Sequence, residues 1–433
     1  MSTLAERLRS VIRPDAGMGD SEPSTGSGPS RAASRDEGPV VSGADVAVTL
    51  GGEWREAGGQ RYLVVDREYA PGYRHGHVAV SDAAPDDSGV WPTLHLLAGA
   101  AWPPTGERLL FLDLETTGLA GGAGTYAFLV GCGWFDGPTF RVRQFFLSSF
   151  GSERVLLEGV AALAGQACAV VTYNGKSFDL PLIETRYLLQ RMATPFAGLP
   201  HVDMLHPARR LWRSGDEAAS GCRLSELELT LCGHERDGDV PGFEIPGRYF
   251  HYVRSGDARG LEVVLEHNRL DLLSLALVTA RAAQVLDAGP AGARTAREGI
   301  GMGRLYERGG LAAQARAAYT RAADLPADAA TRAEALRACA VLARRGRGYD
   351  EAASAWRRVL DVPDCPAPVA REAAEALAVH HEHRLRDFEV ARRFALQSLR
   401  FHATATRAQA VRHRLARLDR KLGTVPSEAA VLF

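Results

Sequence analysis

The chain has 433 residues and a formal net charge of -1, with 46% hydrophobic and 24% charged residues. That is the composition of a folded chain of two or three domains, and no apolar run reaches the roughly 18–20 residues of a membrane span. Six cysteines without a CxxC pair argue against a disulfide framework or zinc ribbon, and no leader pattern opens the chain, so a cytoplasmic setting is expected.

Residues 1–43 come first. A short amphipathic helix fits 1–13, and 14–43 are rich in Gly, Pro, Ser and Asp with almost no bulky apolar side chains. Such a segment cannot offset its ordering entropy and is expected to be disordered. Residues 44–106 then read as a small β-rich lead-in, with strands at 46–50 and 61–65. From 107 to 287 strands and helices alternate. Strands are expected at 109–114, 126–135 and 140–147, the last two joined by the turn Asp136-Gly137-Pro138. A helix at 155–163, a strand at 169–173, a helix at 179–191, a short strand at 201–205 with a helix to 213, and a long helix at 257–286 complete the run. This order predicts an α/β domain, a mixed sheet with helices on its faces. Residues 118–124 are glycine-rich, but no Lys-Ser/Thr ends them and a strand follows, so they are not a P-loop.

Residues 295–422 change character. Tyr319, Trp356 and Phe394 recur at a period of about 37, with Ala315, Ala352 and Val390 ahead of them and Pro326 and Pro363 behind the first two. Small, then aromatic, then proline at a period near 34 is the pattern of tetratricopeptide helix pairs. An all-α repeat region with a capping helix at 403–422 is therefore expected. The charge is also split. Residues 291–433 carry 25 Lys+Arg against 16 Asp+Glu, and the first 290 carry 26 against 36. A basic back half points toward nucleic-acid contact, although a solvated helical face gives the same count.

Three short segments carry chemistry. In Phe111-Leu112-Asp113-Leu114-Glu115-Thr116-Thr117-Gly118 the two carboxylates are two apart on an apolar strand, so they leave the same face. Buried carboxylates are costly unless a positive charge neutralises them, and a divalent metal does so. In Tyr173-Asn174-Gly175-Lys176-Ser177-Phe178-Asp179 the first residues end a strand and Asp179 opens a helix, where it either caps or ligates. In Glu266-His267-Asn268-Arg269-Leu270-Asp271, His267 and Asp271 are four apart and share a helix face.

In this order the three segments resemble the DEDD superfamily of 3′–5′ exonucleases, and within it the bacterial YprB-like group, whose ribonuclease H-like domain is often joined to tetratricopeptide repeats. The resemblance covers residues 107–287, with the lead-in and the repeats also fitting. It implies a ribonuclease H-like mixed sheet, with Asp113, Glu115, Asp179 and Asp271 as ligands of two Mg²⁺ or Mn²⁺ ions that bracket a scissile phosphate. Oxygen donors suit such ions. It further implies a general base before the last aspartate. Here His267 stands at the spacing where relatives place tyrosine, and histidine accepts protons near neutral pH.

Supporting roles are expected for Thr116, Thr117, Asn174 and Lys176 at the substrate and for Asp203 behind the ligands. The implied activity is phosphodiester hydrolysis at single-stranded DNA or RNA ends. Its rivals are a non-catalytic scaffold recruiting a protein partner through the repeats, and a structure-specific endonuclease. No membrane partner is expected.

Overall fold

The computed structural model describes residues 43–85, 90–99, 108–118, 122, 124–213, 222–401 and 405–423. The expected N-terminal helix and disordered segment lie outside them, save Gly43, which opens α1 (Gly43–Leu50), the first helix among the described residues. Residues 46–50 were expected as a strand, and here the structure differs. Val46 and Leu50, four apart, are buried while Val48 between them is 81% exposed. That is helical spacing, and the β-branched composition favours a strand only where packing does not decide.

Strands β1 (Glu53–Ala57), β2 (Gln60–Tyr69), β5 (Arg108–Thr116), β6 (Ala127–Asp136), β7 (Thr139–Phe146), β8 (Ala167–Thr172) and β9 (His201–Asp203) form one seven-stranded sheet in the order β1-β2-β7-β6-β5-β8-β9. A separate two-residue ladder joins β3 (Arg74–His75) to β4 (Val78–Ala79). β5 runs antiparallel to β6 and parallel to β8, and β8 is parallel to β9. The lead-in strands β1 and β2 extend this sheet through β7.

Both faces of the sheet are covered, which is why its central strands are apolar without interruption. Leu109 and Phe111 of β5 belong to one apolar core, and Leu110, Leu112 and Leu114 to the other. On the faces lie α2 (Glu153–Ala164), α3 (Asp179–Leu189), α4 (Leu205–Leu211), α5 (Ile245–Ser255) and α6 (Glu262–Asp287). A buried, bidentate Arg186–Glu153 pair (2.5 and 2.8 Å) ties α3 to α2. At Gly131 of β6 a Cβ would stand 2.2 Å from Asn268 Oδ1, so only glycine admits α6 at this distance.

The described residues after α6 form helices α7 (Ala296–Arg308), α8 (Ala312–Asp324), α9 (Ala329–Arg345), α10 (Tyr349–Leu360), α11 (Ala367–His380), α12 (Phe388–Leu399) and α13 (Ala405–Leu422). Tyr319 and Trp356, each 2% exposed, and the partly buried Phe394 sit on the second helix of three successive hairpins. The apolar core of one sheet face continues into these helices from Phe111 to Leu377. Tyr306 donates to the Leu286 carbonyl at 2.7 Å, and a Cβ on Gly301 would lie 2.3 Å from the Arg210 carbonyl oxygen. No described helix is long and apolar enough to cross a membrane.

Candidate active site

β5 leaves the core at its C-terminal end, where a parallel strand order changes to antiparallel. There the side-chain alternation places Leu112 and Leu114 in one core and sends Asp113 and Glu115 to the other face. Asp179 begins α3, and the Leu114 backbone N–H favours its charged form, which places the second motif beside the first. Asp271 arrives from α6, which crosses β5, β6 and β7.

The four carboxylates act on one another. Burial, and then the charges of Asp271, Glu115 and Asp179, push Asp113 well above the ordinary carboxylate range, against a hydrogen bond from Asn268 Nδ2 (2.8 Å). Burial and the charges of Asp271, Asp179 and Asp239 do the same to Glu115. Asp179 is raised to about 7, chiefly by burial, with Asp203 and Asp271 adding to it. Negative charge is thus packed beyond what the surrounding protein neutralises, and a divalent cation reverses that imbalance. Four hard oxygen donors suit Mg²⁺ or Mn²⁺.

Glu115, Thr116, Asp179 and His267 line one cavity of about 500 Å³, walled also by Phe178, Ile245 and Pro246. Asp113 and Asp271 reach it only through charge. His267 Nδ1 is 2.6 Å from Asp239 Oδ1, and its Nε2 is 3.7 Å from Asp271 Oδ2. The Thr116 hydroxyl donates to the Gly118 carbonyl (2.9 Å), and the Thr117 hydroxyl accepts from the Tyr126 N–H (2.9 Å), so both close the loop after β5. Asn174 adopts a left-handed φ of 64°. Neither Asn174 nor Lys176 lines the cavity. Lys176 is exposed, and its charge adds to the burial that depresses His201 to about 4. The buried Asp203 accepts from the N–H groups of Asn174 (2.7 Å), Lys176 (3.1 Å) and Leu205 (3.1 Å), so it braces the second motif's loop against the start of α4.

Three residues of the site carried no signal strong enough to be singled out. Asn268 lies inside the third motif, three before Asp271, on the same turn spacing that places it toward β5, but an asparagine there has no charge to mark it. Arg236 and Asp239 lie in an irregular loop. Arg236 is 6% exposed and donates to Asp271 Oδ1 (2.6 Å), Glu228 Oε2 (2.6 Å) and Asp239 Oδ2 (3.2 Å). Burial opposes its charge, but Asp271 and Glu228 raise its pKa far above the usual range. Glu228, wholly buried, also accepts from Ser274 (2.5 Å) and contacts His75 Nε2 (2.6 Å). His75, Glu228 and His234 offer ligand atoms within 4.8 Å of one another. With Glu228 already hydrogen-bonded on both oxygens, that cluster reads as a buried buttress behind Arg236.

A family model for the RNase_H superfamily matches residues 110–283, a segment that contains all four carboxylates and His267. YprB of Bacillus subtilis (strain 168), described as an uncharacterized protein, is 34% identical over 236 residues, which cover 52% of this chain and 55% of that protein. The chain therefore spans about half the length of this curated relative. Together with the mixed sheet and its flanking helices, the match makes this domain ribonuclease H-like in fold.

Proposed function

We propose that the ribonuclease H-like domain is the catalytic unit of a metal-dependent 3′–5′ exonuclease of the DEDD type that acts on single-stranded DNA or RNA ends. The observation that carries this reading is the mutual charge effect among Asp113, Glu115, Asp179 and Asp271, from three separate elements, beside a cavity that Glu115, Asp179 and His267 line. These four carboxylates would hold two Mg²⁺ or Mn²⁺ ions. When bound, such ions stabilise charge on the attacking water and on the leaving oxygen.

The chain's own groups handle the proton and the strand. His267 takes a proton from the water, whose oxygen bonds to phosphorus as the bond to the 3′ oxygen breaks. That oxygen keeps the electron pair and takes a proton from solvent, so the products are a nucleoside 5′-monophosphate and a shortened strand. The cavity lies within the roughly 300–1,000 Å³ range of small-ligand pockets, a size for one terminal nucleotide. Thr116 at its wall and Thr117, Asn174 and Lys176 near it would contact that nucleotide, with Asp203 holding the loop. The helix hairpins are read as tetratricopeptide-like repeats open to a protein partner.

The test is degradation of end-labelled single-stranded DNA and RNA with Mg²⁺, Mn²⁺ or EDTA. Stepwise mononucleotide release from the 3′ end, abolished by EDTA, is expected. No activity with either ion leaves the scaffold reading standing, and internal cuts before terminal ones favour the endonuclease.

A further inference from the structure

We propose that Asp239 is the positioning residue for His267. Its carboxylate fixes the imidazole with the proton on Nδ1 and leaves the Nε2 lone pair open to the carboxylate cavity. The catalytic half of this assignment rests on the exonuclease reading above.

An ionised carboxylate only accepts hydrogen bonds, so the 2.6 Å contact between Asp239 Oδ1 and His267 Nδ1 makes Nδ1 the donor. In a neutral ring the acceptor is then Nε2. That atom is 3.7 Å from Asp271 Oδ2, beyond hydrogen-bond reach, and His267 lines the cavity. Asp239 is itself fixed. Its other oxygen accepts from Arg236 Nη1 (3.2 Å), and Arg236 is anchored through Glu228 to Ser274 and His75 in the interior. The ring's orientation is thus built outward from the core. This also accounts for a histidine four residues before Asp271. On that turn of α6 the ring shares a face with Asp271, and the bond to Asp239 holds it clear of a hydrogen bond to that carboxylate.

The decisive variant is Asp239→Asn in the full chain. Arg236 requires an acceptor at Oδ2, so the new amide must keep its oxygen there and turn its NH₂ toward His267. The ring must then accept at Nδ1 and carry its proton on Nε2, the atom needed as acceptor. Histidine ¹⁵N NMR on the metal-free chain reads this directly, with the His267 signals assigned by their loss in His267→Ala. Expected, at a pH high enough that the ring carries a single proton in both spectra, are an Nδ1-protonated ring in the wild type and an Nε2-protonated ring in the variant. In turnover, kcat should fall roughly 100-fold or more, KM and Mn²⁺ affinity should stay within about twofold, and the substitution should add nothing in a His267→Ala background.

A merely structural role for Asp239 would lower thermal stability without moving the tautomer, and would cost the same with or without His267. Either result overturns the assignment, as does a wild-type ring protonated on Nε2. A wild type without nuclease activity would instead sink the exonuclease reading alone, because the NMR readout needs no turnover.

Discussion

At the scale of single residues, the carboxylates are not equivalent. Asp113 stands among like charges with Asn268 as its hydrogen-bond donor, whereas Asp271 neutralises Arg236. Asp113→Asn and Asp271→Asn should both abolish degradation, yet in EDTA their stabilities should diverge. Asparagine at 113 relieves repulsion and should raise the melting temperature. At 271 it removes a charge-assisted bond to a buried guanidinium and should cost roughly 1–2 kcal/mol. Melts that shift in the same direction would contradict this reading of Arg236. A second expectation concerns pH. Asp179, raised to about 7 from an unfolded value near 4, binds more protons folded than unfolded in that window. Its contribution to metal-free stability therefore falls as pH rises from about 4 to 7. Asp113 and Glu115, shifted the same way, act in the same sense. Melts in EDTA should show this loss, Mn²⁺ should close most of it, and Asp179→Asn should flatten it. At His267, alanine should lose roughly two to four orders of magnitude in rate, and tyrosine, which the resemblance to DEDD exonucleases implies at this spacing, should retain more. An alanine variant as fast as the wild type removes His267 from the mechanism.

At the scale of elements, the C-terminal helices show where much of the arginine goes. Arg316–Glu351 (3.2 Å), Arg337–Glu372 (2.5 Å), Arg358–Asp324 (2.8 Å) and Arg417–Glu382 (2.7 Å) each join one helix hairpin to the next helical unit. The basic excess of this region is in part a ladder between hairpins. The first three are exposed and contribute little singly, whereas the buried Glu382 gathers Arg414, Arg417 and Lys421, and the apolar contacts carry the packing. Arg337→Ala should therefore cost less than about 1 kcal/mol, and Trp356→Ala roughly 3–5 kcal/mol through the cavity it leaves. Chemical denaturation of the two variants tests the ranking, and equal costs would assign the stability to the ladder.

For the whole molecule, the continuity of the core decides how the basic half can be probed. Ile300, Met302, Leu305 and Tyr306 of α7 are buried in the same core as Leu211 of α4 and Leu96 and Leu97. Deleting residues 291–433 should expose that surface and yield an aggregating chain, which size-exclusion chromatography would show. A monodisperse, folded fragment would mean the two parts are separable. Substrate contact by the helices is better tested in the full chain. Arg393 and Arg400 are exposed on and just after α12. If they contact phosphates, Arg393→Glu with Arg400→Glu should weaken single-strand binding and lower the slope of log affinity against log salt by about 2. An unchanged slope assigns those arginines to solvent or to a protein partner.

The sequence by itself determined the alternation of strands and helices from β5 to α6, the helical character of the C-terminal region, and the three motifs whose acids meet. Those are local properties. Side-chain period, turn chemistry, two carboxylates two apart and a histidine four before an aspartate are set by neighbours along the chain. What only the tertiary structure decided depends on contacts across many residues. Residues 46–50 form a helix because Val46 and Leu50 find a core face, and β1 and β2 extend the main sheet because β7 offers an edge. Arg236 and Asp239 enter the site from an irregular loop, 35 and 28 residues before Asp271 and His267. No periodicity marks such a loop, since what fixes its side chains is charge brought near by folding.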